Sequence, residues 1–434
     1  MFLLIFIILI VAKSNSYLLG YQILNPDELQ MMSNAIGLTS KGLNFINFDG
    51  TTSGIYNSLI LAWPEIVNLE ITFLTTRMTH IALSSLIIYS LVKIIYLESQ
   101  KILHTILLTF PFIIFFVFTK DPDFSHYSTE LLSTTLLILS YFIIKKDKNF
   151  SKVNTSVAAP ILLGFISFSK IQFFPVAIVM YFIIIFEFYL KKEKFKKYLL
   201  SFAFFCFPSF LVIFAMVVSG NFKDLLINQF LFTYDFVVSN QSKNILLDIY
   251  SSNKDNIQLS IEEGFKNHLY LNLIFHVLYV YFLFFIFLLY KIIKKKKIYI
   301  FFSRDLIYIS GIVFTLILVI LIPGKMHRHY LLSLLPFIAL FISKLFFLFK
   351  NHIKFELKSP YLKVGSVTIF LFLIISAILE SNKFYSKKFE YTNFNKEEIY
   401  FESPRIFQYL FQKQTKKSLY IWGWMPKWYA MSYM

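Results

Sequence analysis

The sequence predicts an all-α polytopic membrane protein, and three observations carry that prediction. Of its 434 residues, 57% are hydrophobic and only 15% charged, and the mean hydropathy is +0.64. No soluble domain needs that much apolar surface. Many apolar runs reach the length that crosses a bilayer core. The basic residues behind the net charge of +17 fall in short clusters between those runs rather than over one folded face. That is the pattern of loop charges under the positive-inside rule, and it argues against nucleic acid as a partner. Cys206 is the only cysteine and sits inside an apolar run, which excludes disulfides and thiolate metal sites.

About eleven spans follow from the runs, at 2–19, 71–97, 102–119, 128–144, 154–169, 171–190, 198–218, 269–290, 305–322, 330–349 and 364–380. The first is interrupted by Lys13. It lacks a basic n-region and a clear small-x-small cleavage site, which favours an uncleaved span over a signal peptide. The 154–190 pair is expected to be broken or re-entrant. Basic clusters at 145–152, 191–197, 291–304 and 350–363 mark one set of loops as cytoplasmic. The segments 20–70, 120–127, the turn near Lys170, 219–268, 323–329 and the tail from 381 then lie outside. The chain divides into a membrane domain, 1–380, and a small external segment, 381–434.

The longest early polar segment, loop 20–70, opens with Asn25-Pro26-Asp27-Glu28. This has the form of a helix start, with Asn25 as N-cap, Pro26 at the first helical position and Glu28 placed to reach back to the cap. Leu29, Met32 and Ile36 recur at helical spacing, so the helix can lie along a membrane surface. Glu28 has a capping duty to perform. Asp27 has none, which makes it the better candidate for a general base.

Asp121-Pro122 reads as a second helix start, after which Asp123, Tyr127 and Glu130 recur at i, i+4 and i+7 with His126 beside them. Such a polar stripe entering the membrane must face the protein interior or a wet cavity. A carboxylate here together with His126 could also hold a divalent cation. Lys170, with Gln172, sits in SFSKIQFFP between two spans, where an isolated lysine either snorkels to the interface or pairs with an anion. Lys325, His327, Arg328, His329 and Tyr330 crowd one short external loop, against the prevailing charge asymmetry. Arginine's fork and the lysine point charge suit phosphate oxygens. Asp49 reads as a turn residue, and Trp422, Trp424, Trp428 and Tyr429 as interfacial or core aromatics.

Taken in order, these segments resemble a known family. NPDE followed by FDGTTSGIYNS, then DFSHYSTE, SKIQ, HRHYLLSLLP and LYIWGWMPKWY, are similar to the GT-C fold glycosyltransferases that use polyprenyl-phosphate sugars. The likeness is to the dolichyl-phosphate-mannose-protein mannosyltransferase-like group, which includes bacterial lipopolysaccharide-core and lipid A aminoarabinose transferases. It implies a GT-C-like membrane domain with external juxtamembrane helices. It also implies an external C-terminal domain that here stops short, and a basic leader that this amino terminus lacks. By the same resemblance Asp27, with Glu28 beside it, is the catalytic base. Asp123 and Glu130 bind acceptor, sugar or a metal, and basic residues at Lys170 and 327–329 hold the donor phosphate. The implied partners are a polyprenyl-phosphate-linked sugar, a glycan, lipid or protein acceptor, and membrane lipids. The implied location is the bacterial inner membrane, with the site facing the periplasm or exterior. A flippase for polyprenyl-linked glycan, or a glycan polymerase or ligase, is the alternative.

Overall fold

The computed structural model describes residues 1–13, 26–40, 53–119, 121–147, 153–231, 273–294, 303–321, 328–352, 368–369 and 371–379. About 89% of the structure is helical, and no described residue is in a strand. The first half comprises α1 (Phe2–Lys13), α2 (Pro26–Ser40), α3 (Ile55–Leu61), α4 (Trp63–Ile66), α5 (Phe73–Ser99), α6 (Ile102–Phe118), α7 (Pro122–Ser125) and α8 (Thr129–Lys146). There follow α9 (Val153–Ser156), α10 (Ala158–Gly164), α11 (Phe174–Leu190), α12 (Phe195–Val218), α13 (Phe222–Leu225), α14 (Leu273–Lys294), α15 (Arg304–Leu321) and α16 (Leu331–His352).

Seven segments are long and apolar enough to cross a membrane: α5, 123–146, Ile171–Leu190, α12, α14, α15 and Leu331–Lys350 of α16. Three of the other expected spans are shorter apolar helices, Phe2–Lys13, Ile102–Phe118 and Ala158–Phe168. The last of these reaches only about 16 Å at 1.5 Å per residue, roughly half a bilayer core. It ends in a 3-10 turn, Phe165–Phe168, and a second 3-10 turn, Ile171–Phe173, leads into α11. The expected break in the 154–190 pair therefore falls at Ser169 and Lys170. Of the expected span 364–380, residues 368–369 and 371–379 are helical. The expected segment 381–434, with its four aromatic candidates, lies outside the described residues, as do Asn25 and Asp49.

One helix organises the rest. Almost every residue of α8 from Thr129 to Ile138 is buried, although the stretch carries four hydroxyls and a carboxylate. Three hydroxyls of the helix are satisfied locally: Thr134, Thr135 and Ser140 each donate to the carbonyl four residues back at 2.8 Å. Small side chains at these positions let neighbouring helices approach closely. Thr134 Oγ1 is 2.6 Å from Ser333 Oγ of α16. Helix α12 is the opposite case. It exposes Phe202, Phe207, Phe210 and Phe214, as a helix bordering lipid should.

The polar groups gather at two opposite ends of this bundle. The ends of α5, α8 and α16 and the start of α15 share one face, where Lys145 and Lys344 pair with Glu98 and Asp305. Arg304 and Glu187 join at 3.3 Å on the same face. The basic clusters adjoin these helix ends. The start of α8, the end of α15 and the start of α16 share the other face with α2 and the break at Ser169–Lys170.

Candidate active site

The helix break creates the site. A chain that leaves helical geometry inside a membrane protein must find other partners for its backbone groups. The freed carbonyl of Ser169 accepts from the Gly54 N–H at 2.8 Å and from Asn57 Nδ2 at 2.7 Å. A side chain at position 54 would collide with the Phe168 carbonyl, since a Cβ there would lie 2.0 Å from its oxygen. Asn57 is fully buried and also donates to the Thr129 carbonyl at 3.3 Å, while its oxygen accepts from the Tyr127 hydroxyl at 2.9 Å. One amide thus ties three chain segments together, beside Thr129–Glu130 and Lys170.

Lys170 then turns towards the start of α8. Its ammonium donates to Glu130 Oε1 and, at 2.5 Å, to Thr129 Oγ1, and it lies 5.1 Å from the centre of the Tyr330 ring. Burial disfavours its charge, but Glu130, Tyr330 and Asp27 together outweigh that and hold the ammonium above the ordinary lysine range. His329 stands edge-on to Tyr330, with ring centres 4.8 Å apart. Its Nε2 is 3.9 Å from both Asp27 Oδ2 and Glu130 Oε1. Burial pushes the Asp27 carboxyl above its ordinary range. The carboxylates of Glu130 and Asp123 add to the shift, while His329 and Lys170 oppose it. Burial likewise pushes the Tyr330 hydroxyl up. Asp27, Glu130, Lys170, His329 and Tyr330, from four separate stretches of sequence, form one cluster.

Three expected site residues face elsewhere. Glu28 does not sit beside Asp27 in the cluster: it is fully buried, and Arg77 of α5 grips both its oxygens, Nε at 3.3 Å and Nη2 at 3.2 Å. His126 is on that side as well, its Nδ1 3.5 Å from Glu28 Oε2. The expected stripe from Asp123 to Glu130 assumed a continuous helix. Residues 126–128 are not helical, so Tyr127 turns to Asn57 while His126 turns to Glu28. Gln172 donates to the Val319 carbonyl at 2.5 Å and fastens the break to the end of α15. Asp123 is half-buried and contributes to the field at Asp27. Lys325 and His327 lie outside the described residues, as does the side chain of Arg328.

Asn57 and Arg77 are the residues that sequence reasoning missed. Arg77 carried a signal, being a lone arginine inside an apolar run. Asn57 carried none.

Asp27, Glu130 and His329 offer one ligand atom each within 4.8 Å of one another, a donor set that differs from the expected Asp123 and Glu130. Two carboxylates and an imidazole are suitable donors for a divalent cation. The Lys170 ammonium already bound to Glu130 is not a suitable neighbour for one, because a second positive charge there meets direct repulsion. The cluster is better matched to an anion or a hydroxyl. Glu130 Oε2 has no hydrogen-bond partner among the described residues, which leaves a buried acceptor for a ligand donor. Comparison of the chain with protein-family models, with curated proteins and with solved structures returned no match.

Proposed function

We propose that this chain is a membrane glycosyltransferase that moves a sugar from a polyprenyl-phosphate donor to a hydroxyl of a cell-surface glycan, lipid or protein. One observation carries the reading. An aspartate with a raised pKa shares a cluster with a buried, charge-paired lysine at the bundle end opposite the basic loops. In this reading that end faces the exterior of a bacterial inner membrane and the fold is of the GT-C type. Asp27 takes the proton of the acceptor hydroxyl as its oxygen attacks the anomeric carbon from the side opposite the phosphate. The new C–O bond forms as the bond from the anomeric carbon to the phosphate oxygen breaks, and the electron pair leaves with the phosphate. Configuration inverts. Lys170 stabilises the charge growing on the phosphate, and Glu130 Oε2 accepts from a sugar hydroxyl. No step needs a metal.

The test uses membranes containing the full chain and short-chain polyprenyl phosphates bearing mannose, glucose, galactose or arabinose. Release of polyprenyl monophosphate is measured with the wild-type chain and with Asp27→Asn. Wild-type turnover by that variant removes the base assignment, and no release from any of the four donors removes the transferase.

One feature favours a second reading. Discontinuous helices with a charged residue at the break are a transporter device. A flippase would move the intact lipid-linked sugar across sealed vesicles without releasing polyprenyl phosphate. The placement of the charged cluster at one end of the bundle, rather than midway along it, favours the enzyme.

A further inference from the structure

The opposite face of the bundle holds a second concentration of charge, and there no described carboxylate answers it. Lys101, His104 and Lys350 meet where the start of α6 packs against the end of α16. Lys350 Nζ lies 3.3 Å from His104 Nδ1. The imidazole is 5% exposed, edge-on to Phe346 with ring centres 5.6 Å apart and tilted against Phe347. Lys101 is the N-cap residue of α6, and its charge acts on both of the other groups. The nearby acids Glu98 and Asp305 are already held by Lys145 and Lys344.

Two ammonium groups gathered at a low-dielectric boundary repel one another, and an anion between them removes that repulsion. The positive end of α6, a helix of 17 residues, points at the same place. Below it the helix bares Ile102, Leu103, Ile106 and Leu107, an apolar flank that continues directly from the charged mouth. A soluble anion uses the charges and leaves that flank unused. A phospholipid uses both.

We infer that Lys101, His104 and Lys350 bind the phosphate of an anionic phospholipid whose acyl chains lie along the exposed flank of α6. Basic pockets between membrane helices are suited to such headgroups. The site is independent of the proposed chemistry at the other face.

The experiment is native mass spectrometry of the full chain released from nanodiscs of equal parts phosphatidylglycerol and phosphatidylcholine. Wild type is expected to retain phosphatidylglycerol preferentially, and Lys101→Gln and Lys350→Gln each to lower that preference about fivefold. Lys350→Arg keeps the charge and restores it. Lys191→Gln with Lys196→Gln, which removes exposed charge elsewhere, is expected to leave the preference intact. An unchanged preference in the Lys101 and Lys350 variants overturns the site, as does an equal loss in the Lys191 and Lys196 control. Displacement of the lipid by millimolar inorganic phosphate overturns the lipid assignment in favour of a soluble anion.

Discussion

At one end of α8, Glu130 meets Lys170, Asp27 and His329. Fifteen residues and about 22 Å further along the same helix, Lys145 meets Glu98, Asp305 and Lys344. Each group comprises two acids and two bases. At the Lys145 end the acids and bases pair completely. Lys344 reaches Asp305 at 2.6 Å and Glu98 at 3.2 Å, Lys145 reaches Asp305 at 3.2 Å, and Asp305 is 39% exposed. At the Glu130 end the pairing is incomplete. Glu130 is fully buried with one oxygen that has no hydrogen-bond partner among the described residues, while His329 lies 3.9 Å from both Asp27 and Glu130. The difference teaches that charge composition does not identify a site. A buried carboxylate oxygen without a partner among the described residues marks a candidate, because a ligand donor can complete its interactions.

The sharpest way to break this comparison is to neutralise one acid at each end. Asp27→Asn is expected to lower turnover about 100- to 10,000-fold, the range for loss of a general base. Asp305→Asn is expected to leave turnover within about twofold at its exposed, salt-screened position. Both are read as release of polyprenyl phosphate from membranes holding equal amounts of protein. Equal losses in the two variants would show that the ends differ in nothing that matters to the reaction. The same aspartate sets a pH dependence. Asp27 accepts a proton only when ionised, and its pKa is raised from 3.8, chiefly by burial. The acid limb of kcat/KM, which reports the free enzyme, is therefore expected above that value. A limb at or below 3.8 would contradict the assignment.

Next in size is the ion pair behind the site. Arg77 and Glu28 are 2% and 0% exposed, and breaking a buried pair from one side leaves an uncompensated charge. Arg77→Met is expected to cost about 3–5 kcal/mol of stability. Changing both residues, Arg77→Met with Glu28→Met, is expected to recover most of that. Thermal unfolding in detergent measures both, and a double variant no more stable than the single one contradicts the pairing account.

Much of the fold was legible because hydropathy and loop charge are averages over many residues. They placed the seven long helices, among about eleven expected spans, and marked the 154–190 pair as broken or re-entrant. The site was legible in part. Asp27, Glu130, Lys170, His329 and Tyr330 each announced themselves as polar residues at the margin of an apolar run, where a cost must be offset by a partner or a function. Their mutual arrangement was not legible, because it depends on where helices end. His126 was read into the site by extending a helical period through residues 126–128, where the backbone is extended or bent. Glu28 was read as a cap because capping is local, and its actual partner, Arg77, lies 49 residues away. Asn57 sits among apolar residues in IYNSLIL with no periodicity to mark it, and only the helix break explains why an amide is needed there.

That amide offers the third test. Asn57→Ala removes two donors from buried carbonyls and one acceptor from Tyr127. The loss is expected to cost about 1–3 kcal/mol. Because the Ser169 carbonyl, left with the Gly54 N–H alone, adjoins Lys170, turnover is also expected to fall. If Asn57 acts through that lysine, the fall is much smaller when Lys170→Ala is already present. Additive losses would confine Asn57 to a structural duty.

The smallest expected effect lies at the paired end. Lys344→Gln removes one partner from Glu98 and Asp305, but Lys145 remains within 4.0 Å of both acids. The remaining lysine and access to solvent limit the cost to about 1 kcal/mol, and raising the salt concentration should shrink it further. Lys170→Gln at the other end has no such reserve. It leaves the Glu130 carboxylate buried with no lysine or arginine within 4.0 Å among the described residues, so its cost should persist at high salt. Thermal unfolding of both variants at low and high salt separates the two ends by salt response alone, without any assay of function. Equal salt sensitivity would mean that the Glu130 end is as open to water as the Lys145 end, and burial would then not set the two ends apart.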